Sequence, residues 1–127
     1  MNLELLTELQ NLPQVKEELE HYFVDGMYCR VMSLPKGVFV VGHKHKKHAI
    51  NILAKGILRL PDGSLIKAPY VFITEPNTQK AAITIEDVVF INIFSVDATT
   101  VEEVEEEIAE PINNNLPYKR RKELKCQ

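Results

Sequence analysis

Three of the four histidines in this chain of 127 residues stand together, as His43, His45 and His48, directly after an apolar run of strand-like composition. Side chains two apart on a strand share a face, so His43 and His45 could hold one ion between them. His48 has the opposite parity and joins them only if the chain turns or bulges at Lys46 and Lys47, two neighbours whose preference for solvent favours a turn. Three neutral imidazoles with one or two open positions suit Zn²⁺, Fe²⁺, Mn²⁺, Ni²⁺ or Cu²⁺, and spacing does not choose among them. A solvated, lysine-rich β-turn accounts for the same residues without any metal, because a His-x-His pair is by itself a weak motif.

Other groups with chemical potential are fewer. Asn51 has the parity of His43 and His45 and could hydrogen-bond behind a ligand. Lys80 could reach an anionic ligand at a cavity mouth. Glu86 and Asp87 are adjacent, so on one strand they would point to opposite faces, and a hairpin turn explains them better than an acid/base pair. No Ser/His/Asp order, phosphate loop, redox pair or zinc-finger spacing is present, and no general base stands out from which a reaction could be written.

The elements that must position these residues fall into three zones. Residues 1–25 read as a helical segment: Leu3, Leu5, Leu6, Leu9 and Leu12, then Val15, Leu19, Tyr22 and Phe23, recur near a helical period, with Pro13 dividing two short helices and His21 on the second. Residues 26–98 read as β structure, with strands expected at 27–33, 38–41, 49–53, 57–60, 64–67, 70–73, 81–85 and 88–94. Turn chemistry separates them, most clearly at Pro35-Lys36-Gly37 and at Pro61-Asp62-Gly63. So many short strands at this spacing predict a sandwich or barrel, with Tyr28, Tyr70, Phe72, Phe90 and Phe94 in its core. Residues 99–127 read as a helix starting at Thr99 or Thr100, with Val101, Val104 and Ile108 as its apolar stripe, followed after Pro111 by an irregular basic tail.

Composition limits the partners. The formal charge of −3 provides no global field to recruit nucleic acid, although the basic run 118–125 could touch RNA, DNA or an acidic protein surface. Two cysteines, Cys29 and Cys126, suggest no disulfide framework and fit a reducing cytoplasm. The first residues carry acid where a secretory signal carries base, and no apolar run is long enough to span a bilayer.

Residues 37–45, a glycine and an apolar run leading into His43-Lys44-His45, with Gly56 following, resemble the first sequence motif of cupins. More narrowly, 27–111 resembles small cupin-type proteins of bacteriophages. That likeness is carried by Leu34-Pro35-Lys36-Gly37, His43-Lys44-His45, Asn51-Ile52, Lys55-Gly56, Asp62-Gly63, residues 67–72, Lys80, Glu86-Asp87 and the acidic helix before Pro111. It implies a mainly β, cupin-type (RmlC-like) jelly-roll barrel, flanked here by short N-terminal helices and a C-terminal helix, and it favours a homodimer in a host cytoplasm. The departures from the cupin pattern matter equally. Ala49, Ile50 and Asn51 stand where many cupins place a glutamate ligand; residues 76–81 contain no histidine; Phe94 stands where the phage-type proteins tend to have one. Only His43 and His45 are retained of a four-residue shell, with His48 as the candidate to complete it.

Two functions of different class follow. One is a non-enzymatic, phage-encoded accessory protein that binds a divalent metal or a small ligand in the barrel, through His43, His45 and His48 or through Asn51 and Lys80. The other is a metal-dependent cupin enzyme of the dioxygenase, isomerase or lyase type, built on a three-histidine centre.

Overall fold

The computed structural model describes residue 8 and residues 11–109. Residues 1–7, 9 and 10 of the expected N-terminal helical segment, and the basic tail with Cys126, therefore lie outside the described residues. Nine strands and one helix are present within them: β1 Glu18–Val24, β2 Met27–Leu34, β3 Phe39–Val41, β4 Ala49–Lys55, β5 Ile57–Arg59, β6 Leu65–Lys67, β7 Tyr70–Thr74, β8 Ala81–Thr84, β9 Val88–Ser95 and α1 Val101–Ile108. They form a five-stranded sheet in the order β1-β2-β9-β4-β7 and a four-stranded sheet in the order β3-β8-β5-β6. Every pairing is antiparallel, and the chain passes repeatedly between sheets, which is the jelly-roll arrangement.

Apart from the N-terminal zone, the strands lie where the sequence predicts them, within a residue or two. Residues 18–24, expected to be helical, form β1 and pair along their whole length with β2, from Glu18 opposite Ser33 to Val24 opposite Met27. The missed signal is Asp25-Gly26, whose positive φ angles of 46° and 76° are those of a two-residue hairpin turn. A helical period in leucine-rich sequence loses here to seven residues of ladder pairing on an otherwise open sheet edge.

The larger sheet sorts its residues by parity. Its inner face carries Tyr28, Arg30, Met32 and Leu34 from β2, Val88, Phe90, Asn92 and Phe94 from β9, and Ala49, Asn51 and Leu53 from β4, all buried. Apolar packing occurs in two clusters. One, containing Met32, Leu34, Leu53, Leu58, Val88 and Phe90, joins the two sheets. The other, Tyr28, Ala49, Phe94 and Val96 with Val104 and Ile108, seats α1 across one end of the barrel. Thr100 caps that helix by accepting from the Glu103 backbone N–H (3.2 Å), as its sequence position suggests.

On the outer face of the same sheet β2, β9, β4 and β7 present mainly apolar side chains, while the edge strand β1 adds Glu18 and Glu20. Register aligns Val31, Ile91, Ile52 and Val71 in one cross-strand row and places Ile93, Ile50 and Ile73 beside Cys29 in the next. Val71 and Ile73 are 63% and 66% exposed, so this surface is not covered by the described part of the chain. At the opposite end of β4, Gly56 is required by geometry: its φ is +93°, and a Cβ there would collide with the Asp87 carbonyl oxygen.

Candidate functional site: a histidine loop and a polar belt above an apolar cavity

The loop from Gly42 to His48 is held from three sides. The Gly42 N–H donates to the Lys80 carbonyl (2.8 Å), the His45 carbonyl accepts from the Asn77 N–H (2.7 Å), and the Lys46 N–H donates to the Ile108 carbonyl (2.7 Å). The two lysines that suggested a solvated turn bind α1 instead. Lys46 Nζ donates to the Glu106 carbonyl, and Lys47 pairs with Glu107 while donating to the Ser95 carbonyl.

This anchoring turns His43 and His45 inward, to 5% and 4% exposure, with the His45 ring edge-on to Phe94 at 5.1 Å between centroids. His48 does not join them. It lies on the surface, its Nε2 paired with Glu75 at 2.6 Å, with 64% of its side chain exposed. The expected turn at Lys46-Lys47 does form, but the contacts of α1 with Lys46 and Lys47 direct it away from the barrel.

The two histidines that converge, His43 and His45, do not fit a tetrahedral resident ion. Ligation at about 2.1 Å places an ion about 3.2 Å from each imidazole centre, so tetrahedral geometry brings two ring centres to about 5 Å. The His43 and His45 centroids are 6.5 Å apart. Among the described residues no group of three His, Cys, Asp or Glu side chains converges to hold an ion.

A belt of polar side chains crosses the inner face between the two apolar clusters. Arg30, Asn92 and Asn51 sit opposite one another on β2, β9 and β4. Arg30 donates through Nη2 to Asn92 Oδ1 (2.8 Å), Asn92 Nδ2 donates to Asn51 Oδ1 (2.6 Å), and Lys80 Nζ donates to that same oxygen (2.8 Å). Asn51 Nδ2 in turn donates to Thr74 Oγ1 (3.1 Å). Asn51 and Asn92 are 0% and 1% exposed, so these bonds replace water that neither amide can reach. The structure thus joins Asn51 to Lys80, the two residues expected to contact a ligand. Arg30, Asn92 and Thr74 were not anticipated. Their signal was a polar side chain at the inward parity of an apolar strand.

Beneath the belt lies a cavity of about 400 Å³, with walls that include Met32, Leu34, Leu58, Phe72, Val88 and Phe90. Tyr70, which the sequence suggested as core, is 44% exposed and lines it from the rim. Lys80 is its basic lining residue, with Nζ 5.5 Å from the Phe90 ring centre. Burial, together with the positive charge of Arg30, pushes the Lys80 ammonium down from 10.5 to about 7. Among the described residues no carboxylate pairs with Lys80.

Elsewhere, His21 belongs to β1 rather than to a helix surface. Its Nδ1 is 2.6 Å from the Tyr28 hydroxyl, and burial, with Arg30 as the second cause, lowers its pKa. Glu86 and Asp87 lie in the turn before β9, where Asp87 accepts from the Lys36 N–H (2.9 Å). No helix among the described residues is long and apolar enough to cross a membrane.

No protein-family model and no curated protein sequence matches the chain. Solved structures do. An acetylacetone dioxygenase from Acinetobacter johnsonii superposes with a TM-score of 0.52 at 14% identity, over 66% of this chain and 65% of that one. KdgF from a Halomonas species gives 0.51 at 17%, over 61% and 76%. An RmlC-like cupin family protein with a double-stranded β-helix fold from Methanocaldococcus jannaschii gives 0.53 at 15%, over 64% and 81%. The chain spans less than two thirds of the dioxygenase's length. At these identities the likeness concerns the backbone alone: this protein has a mainly β, cupin-type jelly-roll fold with a C-terminal helix.

Proposed function

We propose that this is a non-enzymatic cupin-fold protein that binds a small, mainly apolar ligand in its barrel, with Lys80 contacting the ligand's polar head. The observation that carries the reading is the apolar cavity of about 400 Å³ with a lysine at its polar boundary. Pockets of this size with few convergent polar groups suit small organic molecules. A head group that accepts hydrogen bonds or carries negative charge would meet Lys80, whose hydrogen bond to Asn51 uses one of its donors. Fluorescent apolar dye binding, with medium-chain alcohols and acids as competitors, tests this directly. Ala82→Trp, which fills the cavity from β8, is expected to weaken binding by about tenfold or more. Unchanged affinity in that variant would rule out the cavity as the site.

The second reading, a metal-dependent enzyme of the dioxygenase, isomerase or lyase type, draws on the burial of His43 and His45 in one loop. Those two residues would contact a Zn, Fe, Mn, Ni or Cu ion, and two imidazoles hold a metal weakly. Elemental analysis of the untagged protein is expected to find well under one ion per chain, and the same amount in His48→Ala. One ion per chain that His48→Ala removes would restore the three-histidine centre.

A homodimer is part of the proposal, formed through the apolar outer face of the larger sheet. A twofold axis would bring the exposed Ile50, Val71 and Ile73 of one copy onto those of the other, which removes them from water. Ile73→Lys is expected to convert the species seen by sedimentation from dimer to monomer, with unchanged circular dichroism. A parent that already sediments as a monomer would exclude the dimer. The phage origin and cytoplasmic setting rest on the motif likeness and on the free Cys29 thiol. Genomic surroundings without phage genes would count against the origin.

A further inference from the structure

Resting on the cavity reading above, we infer that Lys80 captures aldehydes carried in the barrel as a covalent imine, making this a carbonyl-binding protein. The geometry supplies what such a lysine needs. Nζ stands where the polar belt meets the apolar cavity, donates one proton to Asn51 Oδ1 (2.8 Å), and has the face of Phe90 beside it. No carboxylate among the described residues pairs with it to hold the ammonium form. The charged group acting on it is Arg30, a like charge across the Asn92 and Asn51 amides, which disfavours a second cation. The other polar groups of the belt, Asn51, Asn92 and Thr74, are neutral. A lysine desolvated beside a second cation is the usual form of an imine-forming amine. Its lowered pKa agrees with that role.

The step balances without an oxidant or reductant. The Nζ lone pair attacks the carbonyl carbon, the carbonyl π pair moves to oxygen, and one amine proton transfers to that oxygen to give a carbinolamine. The hydroxyl then leaves with the second amine proton as water, and the C=N double bond forms. The apolar walls at Leu58, Phe72 and Phe90 would hold the chain or ring behind the carbonyl.

The experiment uses the full chain, octanal and octanol, with an apolar dye reporting cavity occupancy and borohydride fixing any imine before peptide mapping. Expected is reductive modification of Lys80 about tenfold or more above any other lysine at neutral pH. Lys80→Met should lose that adduct, while its circular dichroism and its urea unfolding transition show that the variant is folded. If octanal and octanol displace the dye equally and no Lys80 adduct forms, the imine is overturned and the cavity reading stands. Modification spread evenly over the lysines also overturns it. If neither compound displaces the dye, the cavity reading fails as well.

Discussion

Lys80→Met is expected to stabilise the fold below pH 7 and to remove most of the rise in stability that the parent shows between about pH 7 and 10.5. The sign follows from proton counting. In the unfolded chain Lys80 keeps its proton up to 10.5, whereas in the fold it gives it up near 7. Between those values the unfolded state binds more protons, so stability increases with pH; below the folded value both states are protonated and the full cost of a buried ammonium is paid. At roughly 1.4 kcal/mol per pH unit the window corresponds to at most about 5 kcal/mol, less whatever water reaches Nζ. Methionine has a similar length and no charge, so it keeps the contact with Phe90 while leaving Asn51 Oδ1 its bond from Asn92. Urea unfolding of parent and variant across this pH range reads the difference, in which every other titrating group cancels. Parallel curves would mean that Lys80 keeps an ordinary pKa in the fold, and would remove the basis for its reactivity.

Asn92→Leu should destabilise the protein by about 2 to 4 kcal/mol, the loss of two buried hydrogen bonds, one of them to a charged group. Asn92 is the central link of the belt: its Oδ1 accepts from Arg30 and its Nδ2 donates to Asn51, both inside the barrel. Leucine fills nearly the same space, so the loss is one of hydrogen bonds rather than of packing. The prediction includes a coupling. Adding Arg30→Met should recover part of the loss, because the buried guanidinium that had relied on Asn92 is gone. Strict additivity in a urea double-mutant cycle would show that the two side chains act independently and that the belt is not a network.

Much of the scaffold was legible from residue order. Short runs of β-branched and other apolar residues located β2 to β9, Pro and Gly marked their turns, and Thr100 with the glutamates after it marked the start of α1. Strand β1 was not legible from periodicity, because Leu19, Tyr22 and Phe23 fit a helical stripe as well as a strand; Asp25-Gly26 was the discriminating signal.

For the site, the sequence by itself determined that His43 and His45 share a setting, that His48 could join them only through a turn, and that Asn51 has inward parity. These are consequences of the period of two along a single strand. Only the tertiary structure decided where His48 points, since that depends on Lys46 and Lys47 meeting α1 some 60 residues later. The same holds for the polar belt. Arg30, Asn92, Asn51 and Lys80 are polar residues scattered along the chain until the register of β2, β9 and β4 sets them side by side. Register is fixed by burial of whole strand faces rather than by any one local sequence, so a chain read in order contains the members of the network but not their meeting.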